Sequence, residues 1–229
     1  MSALLMLSLA GCGAADSGRE AVAPRPAAGV CDRVEQCRVV AQTDVDGDDV
    51  RDQVGFVSES KRRVTVHVKT ASGQRLRRSL AVTWFPRGDF CGAAPIDGRP
   101  GAELVVGTTM GAHTLWFTTL SVRSGRIVRL PAPGGEPEWM IDGAFSFQAG
   151  VSRRVLPNGG VVVVLRDAAR DGVASTFTGR DRAYVWRDGG WRHRSTTPTR
   201  YDSERAAGKV GGWHVPGLPR FPDFAAPEA

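Results

Sequence analysis

The chain has 229 residues, 41% of them apolar, and a formal net charge of +6 that comes almost wholly from arginine. That is enough for one ordinary domain with a real core plus a leader. The basic residues are spread along segments of strand-like period and gather in no helix or nucleic-acid motif, which argues against a nucleic-acid partner. An anionic lipid or polymer surface suits such a basic face better.

The chain opens on the apolar run Leu4-Leu5-Met6-Leu7-Ser8-Leu9, continuing as Leu9-Ala10-Gly11-Cys12. The run is too short to span a bilayer as a helix. No Lys or Arg precedes it, where a secretory signal carries one. An aliphatic residue, two small residues and a cysteine in this order resemble the lipobox of bacterial lipoproteins. The resemblance implies that residues 1–11 are a signal peptide and that Cys12 becomes a diacylated N-terminus. The protein would then be extracytoplasmic, held on the outer face of the cell membrane. Residues 12–30 read as an Ala/Pro/Gly tether without apolar periodicity. As a coil this tether would reach about 25 Å from the anchor.

The β-domain is expected over 31–222, with 223–229 disordered. Export would place Cys31 and Cys37 in an oxidising space. A bond between them would close a short loop worth about 2 kcal/mol. Cys91 could instead pair with either of them, and sequence alone leaves that open.

Val39-Val40-Ala41 leads into an acidic stretch, and Val54-Gly55-Phe56-Val57 leads out of it. Val64, Val66 and Val68 alternate with polar residues, then Ala71-Ser72-Gly73-Gln74 turns into a return strand through Leu76, Leu80, Val82 and Trp84. The segment Asp97-Gly98-Arg99-Pro100-Gly101-Ala102-Glu103 repeats the acidic stretch, and Ser124-Gly125 repeats Ser72-Gly73. Two units of about fifty residues therefore predict a repeated sheet. The second copy carries Arg99 in place of a carboxylate, so it is expected to be a metal-free turn with Arg99 supplying the positive charge. Leu115, Phe117, Leu120, Val122, Val128 and Leu130 supply its strands, and Pro131 to Glu138 a loop. A third, weaker unit contains a doubly buried strand at Val161–Leu165 and a hairpin around Asp188-Gly189-Gly190. Asp202 is the expected N-cap of the only short helix. The tail from Trp213 to Phe221 should dock in extended form.

The first acidic stretch, Asp44-Val45-Asp46-Gly47-Asp48-Asp49-Val50-Arg51-Asp52, crowds carboxylates that repel one another unless a cation lies between them. Hard oxygen ligands at such spacing suit Ca²⁺. The expected ligands are the carboxylates of Asp44, Asp46, Asp48 and Asp52 with the Val50 carbonyl. It is not an EF-hand, because its twelfth place is Gly55 and its flanks are strands. It resembles the calcium loop of FG-GAP (VCBS-type) repeats. Asp49 stands where those loops usually carry Gly, and Asp tolerates the left-handed region better than most residues. The resemblance covers about Val39 to Leu130, and the wider chain resembles actinobacterial lipoproteins with such repeats. It implies a structural Ca²⁺ and an all-β fold of about three antiparallel blade units, as a partial propeller or sandwich-like stack.

The chain holds no nucleophile elbow, zinc-protease helix, Cys-x-x-Cys pair or phosphate-cradling loop. His113 is the best single histidine for a site, with Asp97 as a possible acid partner, but no catalytic set emerges. The expectation is a monomeric, non-enzymatic binding or scaffold module whose partner is an envelope protein, carbohydrate or anionic wall polymer. Two rivals follow: a hydrolase using His113, and a basic surface built on Lys61-Arg62-Arg63 and Arg75-Leu76-Arg77-Arg78. Binding by that surface would weaken with salt, whereas a sugar site lined by tryptophans would hardly respond.

Overall fold

The computed structural model describes residues 29–83 and 89–222. Cys12, residues 1–28, Trp84 and residues 223–229 lie outside the described residues. Within them the protein is all-β, with antiparallel sheets that do not close into a barrel and stack like a sandwich.

Four strands form the first sheet in sequence order: β1 (Arg38–Thr43), β2 (Asp52–Ser60), β3 (Arg63–Lys69) and β4 (Arg75–Ala81). Alternation fixes their inner face, because side chains two apart share a side. Val54 pairs with Val68, Phe56 with Val66, and Val64 with Leu80, and all six are buried.

The second sheet takes the remaining strands. They are β5 (Asp89–Ala94), β6 (Glu103–Met110), β7 (Thr114–Arg123), β8 (Arg126–Leu130), β9 (Trp139–Gly143), β10 (Phe147–Val155), β11 (Val161–Arg170), β12 (Phe177–Arg187), β13 (Gly190–Tyr201) and β14 (Gly212–His214). The order is β13-β12-β11-β10-β9-β7-β6-β5, with β8 on β7 and β14 parallel to β10. β6 is buried on both faces. Leu104 and Val106 pack with the first sheet around Phe56, whereas Val105 joins Trp139, Ile141, Val151, Val163 and Trp213 on the other side. The middle unit is thus a layer between two cores.

The structure moves several expected boundaries. Gly29 and Val30 belong to the fold rather than to the tether: Val30 is buried and its N–H donates to Gln53 Oε1. β9 and β10 had no expected counterpart. The short helix α1 (Glu204–Ala207) is capped by Ser203, whose Oγ accepts the Ala206 N–H, and not by Asp202. The tail docks, with Trp213 and Val215 in the core, but it is extended only over Gly212–His214; it then turns back, so that the Trp213 N–H donates to the Arg220 carbonyl.

Cys31 and Cys37 are disulfide-bonded, with Cα atoms 5.3 Å apart. Their sulfurs lie against Gly55 of β2, where a Cβ would come within 2.8 Å of Cys37 Sγ. The missing side chain lets the bond clamp the N-terminal turn onto the sheet. Cys91 is a free thiol, and burial pushes its pKa up.

Candidate metal centre and its twin loop

The loop between β1 and β2 is bent by its own carboxylates. Asp44 Oδ1 accepts the Gly47 N–H at 2.7 Å and its Oδ2 the Asp49 N–H at 3.0 Å. Asp46 Oδ1 accepts from Asp48 N, and Asp48 Oδ1 from Val50 N. Such side-chain-to-backbone bonds are what Asp offers in turns. Asp49 adopts φ +64°, the left-handed conformation. Val45, fully buried, pins the loop to the core.

Asp44, Asp46 and Asp48 each bring one oxygen within 4.8 Å of the others. Among the described residues no arginine or lysine forms an ion pair with any of them. The Asp46 carboxyl is pushed up, first by burial, then by the charges of Asp52 and Asp48, and less by Asp44.

The other expected ligands sit differently. Asp52 is buried at the head of β2, where Oδ2 accepts the Val45 N–H and Oδ1 the Ala71 N–H, both at 2.8 Å. Asp52 therefore closes the loop itself. A carboxylate oxygen has two lone pairs, so these bonds do not exhaust its capacity as a ligand. Val50 is exposed at the rim.

The loop between β5 and β6 repeats two of these bonds, while Pro95 and Arg99 stand at the places of Asp44 and Asp48, whose own bonds have no counterpart. Ile96 N donates to Glu103 Oε2 as Val45 N does to Asp52, and Arg99 N donates to Asp97 Oδ1 as Asp48 N does to Asp46. Ile96 is buried like Val45. The positive charge in this loop is not Arg99, which contributes its backbone N–H, but Arg123 at the end of β7. Its guanidinium lies 2.8 Å from Glu103 Oε1 and 3.2 Å from Asp97 Oδ2, and also donates to the Pro100 carbonyl at 3.2 Å. Ser121 adds a bond to Glu103 Oε1. Burial and then the Asp97 charge push the Glu103 carboxyl up, against the bonds from Ile96, Ser121 and Arg123.

The two loops touch. Ala102 N donates to Asp44 O at 2.9 Å. At Gly47 and Gly101, with φ +89° and +90°, a Cβ would stand 2.7 Å from Pro100 Cβ and from Val45 O respectively. Glycine is required at both, for its positive φ and for the close approach. Whatever stiffens the first loop is thereby coupled to the junction between the first two units.

The remaining expected residues do not assemble. His113 is exposed at the tip of the β6–β7 hairpin. Asp97 is buried beyond the opposite end of β6, an eight-residue strand of about 25 Å, and is engaged by Arg123. Trp139 and Trp213 are core residues, 5.9 Å apart between ring centres. Trp186 and Trp191 meet edge to face, and the Trp191 indole N–H donates to the Pro131 carbonyl.

Sequence reasoning missed a groove of about 670 Å³. Trp116, Met140, Phe147 and Leu165 line it, with Glu136 and Arg180 among its polar residues. Its walls come from five strands and a loop far apart in sequence, so no local pattern announces it. Compared with protein-family models, with curated proteins and with solved structures, the chain matches none.

Proposed function

We propose that the protein is a lipid-anchored binding or scaffold module on the outer face of the cell membrane, stiffened by one structural Ca²⁺ in the Asp44–Asp52 loop. It acts as a monomer on an envelope partner and carries out no reaction of its own. The contrast between the two loops supports the calcium reading. Two matching bonds occur in both, yet Arg123 pairs with the acids of the second, while among the described residues no arginine or lysine forms an ion pair with Asp44, Asp46 or Asp48 in the first.

The donors fit a hard dication: three carboxylates within reach of one point, with Asp52 and the Val50 carbonyl to complete the set. Bound there, Ca²⁺ would supply the positive charge that Arg123 supplies next door. At tenfold excess over its dissociation constant one ion adds about 1.4 kcal/mol to folding. Native mass spectrometry of the calcium-supplied chain tests this. One ion should be retained, and Asp46→Asn should lose it. Bare polypeptide at saturating calcium would end the reading.

The anchor and the envelope location rest on the Leu9-Ala10-Gly11-Cys12 motif. The mass of the mature N-terminus tests them directly, since diacylation of Cys12 adds two acyl chains.

The groove beside Trp116 favours a second reading, a carbohydrate site with an aromatic wall. Soluble saccharides should then change tryptophan fluorescence in the native chain and leave Trp116→Ala silent.

A further inference from the structure

The outer face of the first sheet gathers positive charge that sequence order conceals. In the register of β3 and β4, Lys69 stands directly opposite Arg75 and His67 opposite Arg77. Arg63, two pleats along β3, shares their side. Arg78 pairs with buried Val66 and so belongs to the other face. The run Arg75-Leu76-Arg77-Arg78 is therefore divided, and Arg63, His67 and Lys69 from the neighbouring strand complete the patch.

Directly opposed like charges weaken a sheet. Among the described residues no acid forms an ion pair with Arg63, Lys69, Arg75 or Arg77. Two acids stand at its margin: Glu59 accepts the Thr65 hydroxyl, and Asp32 accepts the Gly29 N–H at 2.8 Å. Burial first, and then the charges of Arg77 and, more weakly, Arg75, hold His67 below its ordinary pKa, with Glu59 opposing.

The patch also lies where the N-terminal segment joins the fold. Arg75 donates to the carbonyls of Gly29 at 2.8 Å and Val30 at 3.3 Å. Val30, Val34, His67, Arg75 and Arg77 share the lining of one shallow cavity of about 320 Å³. Residues 1–28 therefore join the fold beside this face.

We propose that the face formed by Arg63, His67, Lys69, Arg75 and Arg77 is a docking surface for anionic lipid headgroups, which orients the domain on the membrane that its N-terminal segment reaches. It rests on the reading that the chain is anchored, and it adds a contact made by the folded domain. The connection at Gly29 favours a membrane over a wall polymer. Juxtamembrane lysines and arginines are attracted to anionic leaflets, and the attraction fades within a Debye length.

The test uses the full chain with Cys12→Ser, so that no acyl chain contributes, and co-sedimentation with lipid vesicles. The chain should bind vesicles containing about one-third phosphatidylglycerol, ignore neutral phosphatidylcholine vesicles, and be released at about 0.5 M salt. Arg77→Glu should weaken binding about tenfold, whereas Arg78→Glu, the same charge change on the other face, should leave it unchanged. Equal binding to neutral vesicles would overturn the proposal, as would equal losses in the two variants. Capture by soluble anionic wall polymer with no capture by vesicles would overturn it too. Failure of the anchor reading shows separately, as an unacylated mature N-terminus in the native protein.

Discussion

The Arg123 guanidinium donates to the Glu103 carboxylate at 2.8 Å, whereas the matching carboxylate of the first loop, Asp52, receives a backbone N–H from Ala71 at the same distance. In one loop both acids are held by a single cationic side chain supplied from β7. The other keeps its acids together without one. From this difference follow the stability of the middle layer and the case for an ion in the first loop.

Arg123→Ala should be strongly destabilising. Its side chain is only 15% exposed, and the carboxylates it holds are 1% and 0% exposed. Removing one partner leaves buried charge uncompensated, at a cost of about 3–5 kcal/mol. Urea unfolding should show this loss. The double variant Arg123→Ala, Glu103→Gln should recover part of it, because it removes one of the stranded charges as well.

Glu103 sets a sign for pH dependence. Its carboxyl is held above the ordinary value of 4.5, chiefly by burial and then by Asp97. A folded state with the higher pKa binds the extra proton, so this group's contribution is fully present below pH 4.5 and is lost as pH rises through the raised value. Stability of the native chain relative to Glu103→Gln should therefore fall as pH increases from 4.5. A relative gain over that range would mean that Arg123 outweighs burial.

His67 reports on the basic face. It should titrate below 6.5 in the folded chain, since burial and the neighbouring Arg77 both disfavour its charged form. Unfolded, it takes up a proton more readily, so its contribution to stability is lost as pH falls below 6.5. In Arg77→Ala its pKa should move back up, as read from the imidazole resonances by NMR. An unmoved resonance would contradict the opposition of His67 and Arg77.

Gly101→Ala tests the contact between the loops. A methyl group there meets Val45 O at 2.7 Å from a backbone at φ +90°. Strain of this kind costs about 1–3 kcal/mol. Thermal unfolding should show it, whereas alanine at Gly73, which also has positive φ but nothing within 4 Å, should cost only the backbone part.

What could be read from the chain was local. Asp44, Asp46 and Asp48 announce their turn because each carboxylate bonds an amide within five residues. Period-two alternation marked β3 and β4, likewise a local signal. Arg123 was out of reach, lying 20 residues beyond Glu103 and meeting it only once β6 and β7 pair. β10 was missed because its burial is tertiary. Gly150 weakens the strand signal, yet the Val210 carbonyl lies where its Cβ would be. Alternation alone puts Arg75 and Arg78 on opposite faces, and only the strand register sets Arg75 opposite Lys69 and Arg78 opposite Val66.

The central claim is that a dication clamps the Asp44–Asp52 loop, and the most direct check is the melting midpoint of the full chain in millimolar calcium and in excess chelator. An ion at tenfold excess over its dissociation constant should raise the midpoint by about 3–6 °C. Asp46→Asn should lose that rise. Identical midpoints for the native chain in calcium and in chelator would contradict the clamp.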